Sequence, residues 1–269
     1  MNKLNKGEFY GHHYQKLILE DFNISDTEYT HAKVDWHDHE NPYFTYLLQG
    51  RLFEANKKTS YSLSPGSLLF HHWQDAHYNL KAEEYTRGFH IEINPAWFKK
   101  HDIHQLVSEG SIFLQNPLIT GAFNRAVVET KLNDHYSAQS LEMLMLDVFG
   151  QLQHTRARST DRVPGWIKTL QEILREEEPD YTLSNLSKLL DIHPVHLSRS
   201  FHQYFKVTLG EYMRHLRLNK AIKLIGNKQF NMTEICYQCG FYDQSHFIKT
   251  FKRIYRITPS EYSTIFNRC

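Results

Sequence analysis

The segment LSNLSKLLDIHPVHLSRSFHQYF, residues 183–205, contains two helical patterns separated by a short break. In its first part leucine recurs at helical spacing, at positions 183, 186, 189 and 190, behind a suitable N-cap at Thr182 or Ser184. Asp191–Pro194 interrupts the pattern, and proline is well tolerated in the first turn of a new helix. Apolar side chains then recur every four residues, at positions 197, 201 and 205. The segment therefore predicts a short helix, a tight turn and a second helix with one buried face.

A second segment of the same design, MTEICYQCGFYDQSHFIKTFKRI, occupies residues 232–254, and the stretch between the two predicts one long helix. In the second segment Phe247, Thr250, Phe251 and Ile254 form the predicted inner stripe. A single amphipathic helix is ordinarily a solvated surface helix. Two helix–turn–helix segments in one chain favour DNA binding instead, since this motif places a helix in the major groove.

The side chains that point away from the two inner stripes are the candidates for contact with DNA. Arg199 is the strongest of them, because a planar guanidinium matches the two acceptors of guanine. The predicted DNA-binding residues are Val195, Ser198, Arg199 and His202 in the first segment and Gln244, Ser245, His246 and Lys249 in the second.

Charge is distributed unevenly along the 269 residues. Residues 1–161 hold 15 Lys and Arg against 20 Asp and Glu, and residues 162–269 hold 16 against 10, which gives net charges of −5 and +6. A basic module beside an acidic one is expected when only the basic module binds phosphates.

Residues 165–266 resemble the DNA-binding part of AraC/XylS-type bacterial transcription regulators. The resemblance is carried by His196–Phe201, Gly240-Phe241, Ser245–Phe247 and Thr258–Ser260. It implies a cytoplasmic regulator with a seven-helix DNA-binding domain, a small-molecule effector, a homodimeric state and contact with RNA polymerase. The direction of regulation stays open. Residues 204–207 and 254–257 lack the glycine that such proteins often have at these turns.

The N-terminal half predicts many short strands. Tyr43–Leu48, Leu52–Ala55, Leu68–Phe70 and Gly88–Ile93 are apolar or alternating runs separated by turns that contain glycine or proline. This pattern is typical of a small β-barrel or sandwich, and it resembles a cupin barrel. The predicted fold class is therefore α+β in two domains, residues 1–158 with a cupin-like barrel and residues 163–269 all-helical, joined by a polar linker at Arg156–Pro164.

The cupin resemblance also indicates a pocket. His37 and His39 stand at the first two ligand positions of the cupin motif, Tyr43 replaces the usual glutamate, and His77 stands at the position of the last histidine. One alternative is a divalent metal ion held by the three histidines, since imidazole binds zinc, iron, nickel and copper. The other is a polar lining for an effector. A metal-dependent cupin enzyme fused to a DNA-binding domain is the rival function, which the loss of the glutamate disfavours. The remaining histidines, including those at positions 71 and 90, are too scattered to interpret.

Helices are predicted at residues 95–100 and 119–152. In the second, apolar residues between Leu141 and Leu152 keep a heptad-like spacing, which suits either a dimer contact or packing on the barrel itself. Cys236 and Cys239 are expected to pack in the second motif rather than to bind a metal. No run of 18 apolar residues occurs, so a membrane partner is not expected.

Overall fold

The computed structural model describes residues 2–72, 75–103, 110–159, 164–175, 181–227 and 229–267. The chain divides into two compact units, Met1–Gly150 with Ser263–Cys269, and Gln151–Tyr262. The first unit is rich in strands and the second is helical, which confirms the α+β fold class. The domain limits at residues 158 and 163 stay a prediction. The helix that precedes them continues to Ser159, so the first residues of the predicted linker are helical.

The described strands of the first unit form two sheets. In chain order the strands are β1 (Asn2–Leu4), β2 (His12–Ile18), β3 (Phe22–Glu28), β4 (Lys33–His39), β5 (Tyr43–Gln49), β6 (Leu52–Asn56), β7 (Ser60–Leu63), β8 (Leu68–His71), β9 (His77–Lys81), β10 (Arg87–Ile93) and β11 (Ser111–Leu114). One sheet has the order β1-β4-β9-β6-β7 and the other β11-β8-β5-β10-β3-β2. The predicted barrel is thus a pair of sheets, antiparallel except where β1 pairs with β4.

A tight turn joins β5 to β6 at Gly50, whose φ is +77°. A Cβ at this position would lie 2.3 Å from the carbonyl oxygen of Tyr85, so both the backbone conformation and the close approach require glycine. The turn carries the chain from the six-stranded sheet to the five-stranded sheet.

The central strands of the six-stranded sheet are buried on both faces. β10 is buried along its whole length. On one side, a cluster that includes Leu47 of β5 joins residues of the other sheet such as Leu52. On the opposite side, Phe44 of β5 contacts Phe123 and Phe149, with ring centroids 4.8 and 5.7 Å apart. Coverage on both faces explains why β5 and β8 are nearly continuous apolar runs.

Three helices cover that outer face: α1 (Pro95–Lys100), α2 (Pro117–Leu132) and α3 (Ser137–Ser159). The heptad-like stripe of α3 is buried within its own unit, where Phe149 contacts Phe44, Phe70, Trp97 and Phe98. Of the two alternatives for this stripe, packing on the chain's own sheet is the one the structure uses.

The remaining helices lie in the helical unit, except that the last of them continues beyond the end of this unit at Tyr262. The helices are α4 (Gly165–Arg175), α5 (Leu183–Leu190), α6 (Pro194–Phe205), α7 (Leu209–Asn227), α8 (Met232–Gln238), α9 (Gln244–Tyr255) and α10 (Pro259–Asn267). They match the two predicted motifs and the long helix between them. Searched over the residues that the structure describes, no helix combines the length and apolar character needed to span a membrane.

The cores of the two motifs differ from prediction at single positions. Leu189, expected on the inner stripe of α5, is 63% exposed, and Leu186 fills the core with Leu197 and Phe201 of α6. In α9 the stripe ends on Tyr255, which is buried. The hydroxyl of Tyr255 donates a hydrogen bond to Asn219, so this polar group has a partner inside the core. Cys236 and Cys239 are buried, as the packing hypothesis expects.

Candidate DNA-binding surface and histidine pocket

Helix α6 is fixed at its start by two local features. The imidazole Nδ1 of His193 accepts a hydrogen bond from the backbone N–H of Val195, and Pro194 occupies the first turn. With Leu197 and Phe201 in the core, the opposite face of α6 is left to solvent. All four predicted residues of this helix, Val195, Ser198, Arg199 and His202, are exposed.

Helix α9 repeats the arrangement. Asp243 caps it by accepting a hydrogen bond of 2.7 Å from the backbone N–H of His246. Phe247, Thr250 and Phe251 are buried, and the predicted residues Gln244, Ser245, His246 and Lys249 are exposed. Gln244 donates a hydrogen bond to the hydroxyl of Thr233 in α8, so its amide is already oriented by the motif. Tyr242, which the sequence did not single out, is 90% exposed directly before this cap.

Both of these helices end in the same unusual way. Lys206 after α6 and Arg256 after α9 adopt the left-handed conformation, and their backbone N–H groups donate to the carbonyls of His202 and Lys252. The turns that lack glycine thus keep a geometry that glycine favours. The two motifs have the same C-terminal geometry although their sequences differ.

In the first unit, the two sheets bring five buried histidines together, which we call the histidine cluster. The five-stranded sheet contributes His37 and His39 from β4 and His77 from β9, where His77 is the register partner of His37. The six-stranded sheet contributes His71 from β8 and His90 from β10. Tyr43, the register partner of His71 on β5, stacks on that imidazole at 4.2 Å.

The three histidines named from the sequence do meet. One ligand atom from each of His37, His39 and His77 lies within 4.8 Å of the other two. The Nδ1 atoms of His37 and His77 are each 2.8 Å from a backbone carbonyl, that of Asp35 and that of Asp75. These bonds favour the tautomer with the proton on Nδ1, which turns Nε2 toward the cluster. The hydroxyl of Tyr43 lies 3.0 Å from Nε2 of His77.

Burial keeps the histidine cluster uncharged. It lowers the pKa values of His37, His39 and His71, and it lowers those of His77 and His90 to about 3. The neighbouring histidines add to the effect at His39, His71 and His77, because each charge would repel the next. Neutral imidazoles are the form that accepts hydrogen bonds and binds metal ions.

The sequence missed three members of this region. His71 and His90 were set aside as scattered, and Glu54 on β6 was not considered. Glu54, His71 and His77 form a second group whose ligand atoms lie within 4.8 Å of one another. The sequence could have indicated Glu54. This residue lies two positions after the buried Leu52, so both side chains share one face of the strand and point inward.

One small cavity lies beside the histidine cluster, among the residues that the structure describes. A cavity of about 20 Å³ is bordered by Phe9, Tyr10, Tyr29, Val34, His37, His39, Tyr43, Thr45, Asn79 and His90. Such a volume holds about one water molecule. An ion or a very small group fits in this cavity.

Comparison with known proteins identifies the motifs of the second unit. Residues 186–264 match the family described as a helix-turn-helix domain. Over 85 residues the chain is 33% identical to an uncharacterized helix-turn-helix transcriptional regulator of Escherichia coli, YpdC, covering 32% of this chain and 30% of that protein. A second such regulator, from Haemophilus influenzae, is 26% identical over 72% of this chain and 60% of its own length. The chain thus spans less than two thirds of both. YbfI of Bacillus subtilis, named likewise, is 28% identical over 78% of this chain and 80% of its own length. Residues 186–264 are a helix-turn-helix domain.

Proposed function

We infer that this chain is an AraC-type transcriptional regulator, which binds specific DNA through its helical unit and responds to a ligand bound in its strand-rich unit. One observation carries this inference: the helical unit contains two capped helix–turn–helix motifs, and the second helix of each leaves its four candidate contact residues exposed. The relatives are named as regulators, which favours this function over the cupin-enzyme alternative.

In this proposal α6 and α9 each enter a major groove. Val195, Ser198, Arg199 and His202 contact one segment of the operator, and Gln244, Ser245, His246 and Lys249 contact the other. Arg199 is assigned to guanine, since its guanidinium is exposed and free to donate two parallel hydrogen bonds. Tyr242 is suited to a phosphate or sugar contact beside α9, because an exposed tyrosine hydroxyl donates to such oxygens.

The ligand site is proposed at His37, His39, His77 and Tyr43. These side chains border or adjoin the cavity between the sheets, and their hydrogen-bonding atoms face one another. A divalent metal ion is the alternative ligand for the three histidines, since one ring nitrogen of each lies within 4.8 Å of the others. A ligand that binds one arrangement of the regulator better than another shifts the population toward that arrangement, and so changes which operator geometry is bound.

Two further partners belong to the proposal. The regulator is expected to act as a homodimer and to contact RNA polymerase at the promoter. Because the α3 stripe is buried within its own unit, a dimer contact has to use other side chains, and Tyr136 and Met143 are each 70% exposed in this region.

Selection from genomic DNA tests the proposal directly. The full-length chain is mixed with fragmented DNA of the source genome, and the captured fragments are sequenced. We expect a short list of sites with a common pattern of two elements about 10–10.5 base pairs apart, one for each motif. Binding to these sites should weaken steeply as salt is added, because bound phosphates release counterions. Capture of fragments without any shared pattern would refute sequence-specific binding.

A further inference from the structure

Glu54 is a buried carboxylate that the proposed function does not use. Its side chain is 2% exposed, and it lies in β6, next to β9 in the five-stranded sheet. Over the part of the chain that the structure describes, Oε1 of Glu54 has no hydrogen-bond partner. Its other oxygen, Oε2, lies 3.3 Å from the side-chain amide of Asn79. A buried carboxylate oxygen without a donor is costly, so a missing partner is expected here.

His71, on the other sheet, also has a buried polar atom without a partner among the described residues. Its imidazole is fully buried, and Nδ1 lies 3.3 Å from Oε1 of Glu54 and 3.2 Å from the hydroxyl of Ser111. Within the described residues, its Nε2 atom has no hydrogen-bond partner. Glu54 on one sheet and His71 on the other are thus in contact, and each has one polar atom without a hydrogen-bond partner among the described residues.

We propose that Glu54, His71 and His77 bind a divalent transition-metal ion of the zinc or iron type. Two imidazoles and one carboxylate are a ligand set that such ions use in proteins. The three ligand atoms already lie within 4.8 Å of one another, and all three side chains are buried. The ion would give Glu54 the positive partner that it lacks. In this arrangement the carboxylate missing at position 43 is supplied instead by β6.

The set His37, His39 and His77 is the weaker candidate for an ion. It offers no carboxylate to balance the charge of a dication in a buried place. His77 belongs to both sets, so one ion at a time is expected. Metal binding does not require DNA recognition, and therefore it can be tested separately from the proposed function.

The test measures metal binding by the full-length protein after removal of metals with a chelator. Titration with Co²⁺, followed by its visible absorption, and with Zn²⁺, followed by calorimetry, should give one tightly bound ion per chain. Glu54→Gln and His71→Gln should each weaken binding at least about tenfold. Glu92→Gln is the matched control, because Glu92 is equally buried but its oxygens accept bonds from the N–H of Gly7 at 2.5 Å and from the amide of Asn41 at 2.6 Å. This control should bind Zn²⁺ as the parent does.

Circular dichroism establishes that each variant is folded. If a variant does not fold, anomalous diffraction from crystals of the Zn²⁺-loaded parent still locates the ion, which should lie among Glu54, His71 and His77. Failure of the parent to hold one ion per chain would overturn the proposal. So would an ion lost on His39→Gln but kept on Glu54→Gln, since that result places it at the other three histidines.

Discussion

The carboxylate of Asp26 accepts two hydrogen bonds from the guanidinium of Arg87, each 2.6 Å long. Asp26 lies on β3 and Arg87 on the neighbouring strand β10, and both side chains are almost fully buried. The ammonium of Lys131, at the end of α2, is 2.5 Å from the same carboxylate. One buried anion thus ties the six-stranded sheet to the helix that covers it.

Asp26→Asn is expected to destabilise the strand-rich unit by about 3–5 kcal/mol, because it leaves two buried cations without their anion. Urea unfolding followed by tryptophan fluorescence measures the loss. Glu83→Gln provides the control, since Glu83 pairs with Arg51 on the surface, where an ion pair contributes at most about 1 kcal/mol. Equal effects of the two changes would show that the buried pair has no special role.

The same carboxylate predicts a dependence on pH. Burial alone would raise the pKa of Asp26, but the hydrogen bonds and charges of Arg87 and Lys131 outweigh it and hold the pKa below its ordinary value. A group with a lowered pKa in the folded state stabilises the protein above the unfolded pKa, near 4, and this stabilisation is lost as the pH falls. The difference in unfolding free energy between the parent and Asp26→Asn should therefore shrink from pH 6 to pH 3. A difference that stays constant over this range would contradict the assignment.

The strand β3, which contains Asp26, shows which part of the fold could not be predicted from the sequence. The strands β5, β6, β8 and β10 were predicted, as were all the helices of the two motifs. β3 was not, because its sequence FNISDTE looks like a surface segment although six of its seven residues are buried. Its polar side chains are satisfied by partners far along the chain, such as Arg87 for Asp26 and His90 for Ser25. A local pattern cannot reveal such partners.

Some residues of the candidate site could be predicted from the sequence and others could not. His37 and His39 share a strand face, and the spacing to His77 follows a known motif, so the sequence could group them. Glu54 and His71 join His77 only through the order of strands in the two sheets, which depends on pairings distant in sequence. On the helices, the exposed faces of α6 and α9 followed from the apolar stripes alone, because a helix fixes which side chains share a face.

The left-handed residues that end α6 and α9 offer a test by stabilisation. Lys206 and Arg256 have φ angles of +63° and +66°, a region in which a residue with a Cβ is strained. Lys206→Gly should raise the unfolding free energy by about 0.5–1 kcal/mol, after allowing for the greater freedom of glycine in the unfolded chain. Thermal unfolding measures the change. Lys206→Ala removes the same charge without relieving the strain, so an equal gain from alanine would count against this explanation.

Arg199→Ala is expected to weaken binding to the selected operator by about 1–3 kcal/mol, the discrimination that a bidentate contact with guanine provides. The thermal midpoint should hardly change, because Arg199 is exposed and lies opposite the buried Leu197 and Phe201. Lys57→Ala removes an exposed positive charge from the other unit and controls for net charge. Leu197→Ala should do the reverse of Arg199→Ala, with a loss of about 2–5 kcal/mol in stability. If Arg199→Ala bound the operator as tightly as the parent, or unfolded early, the face of α6 assigned to DNA would be wrong.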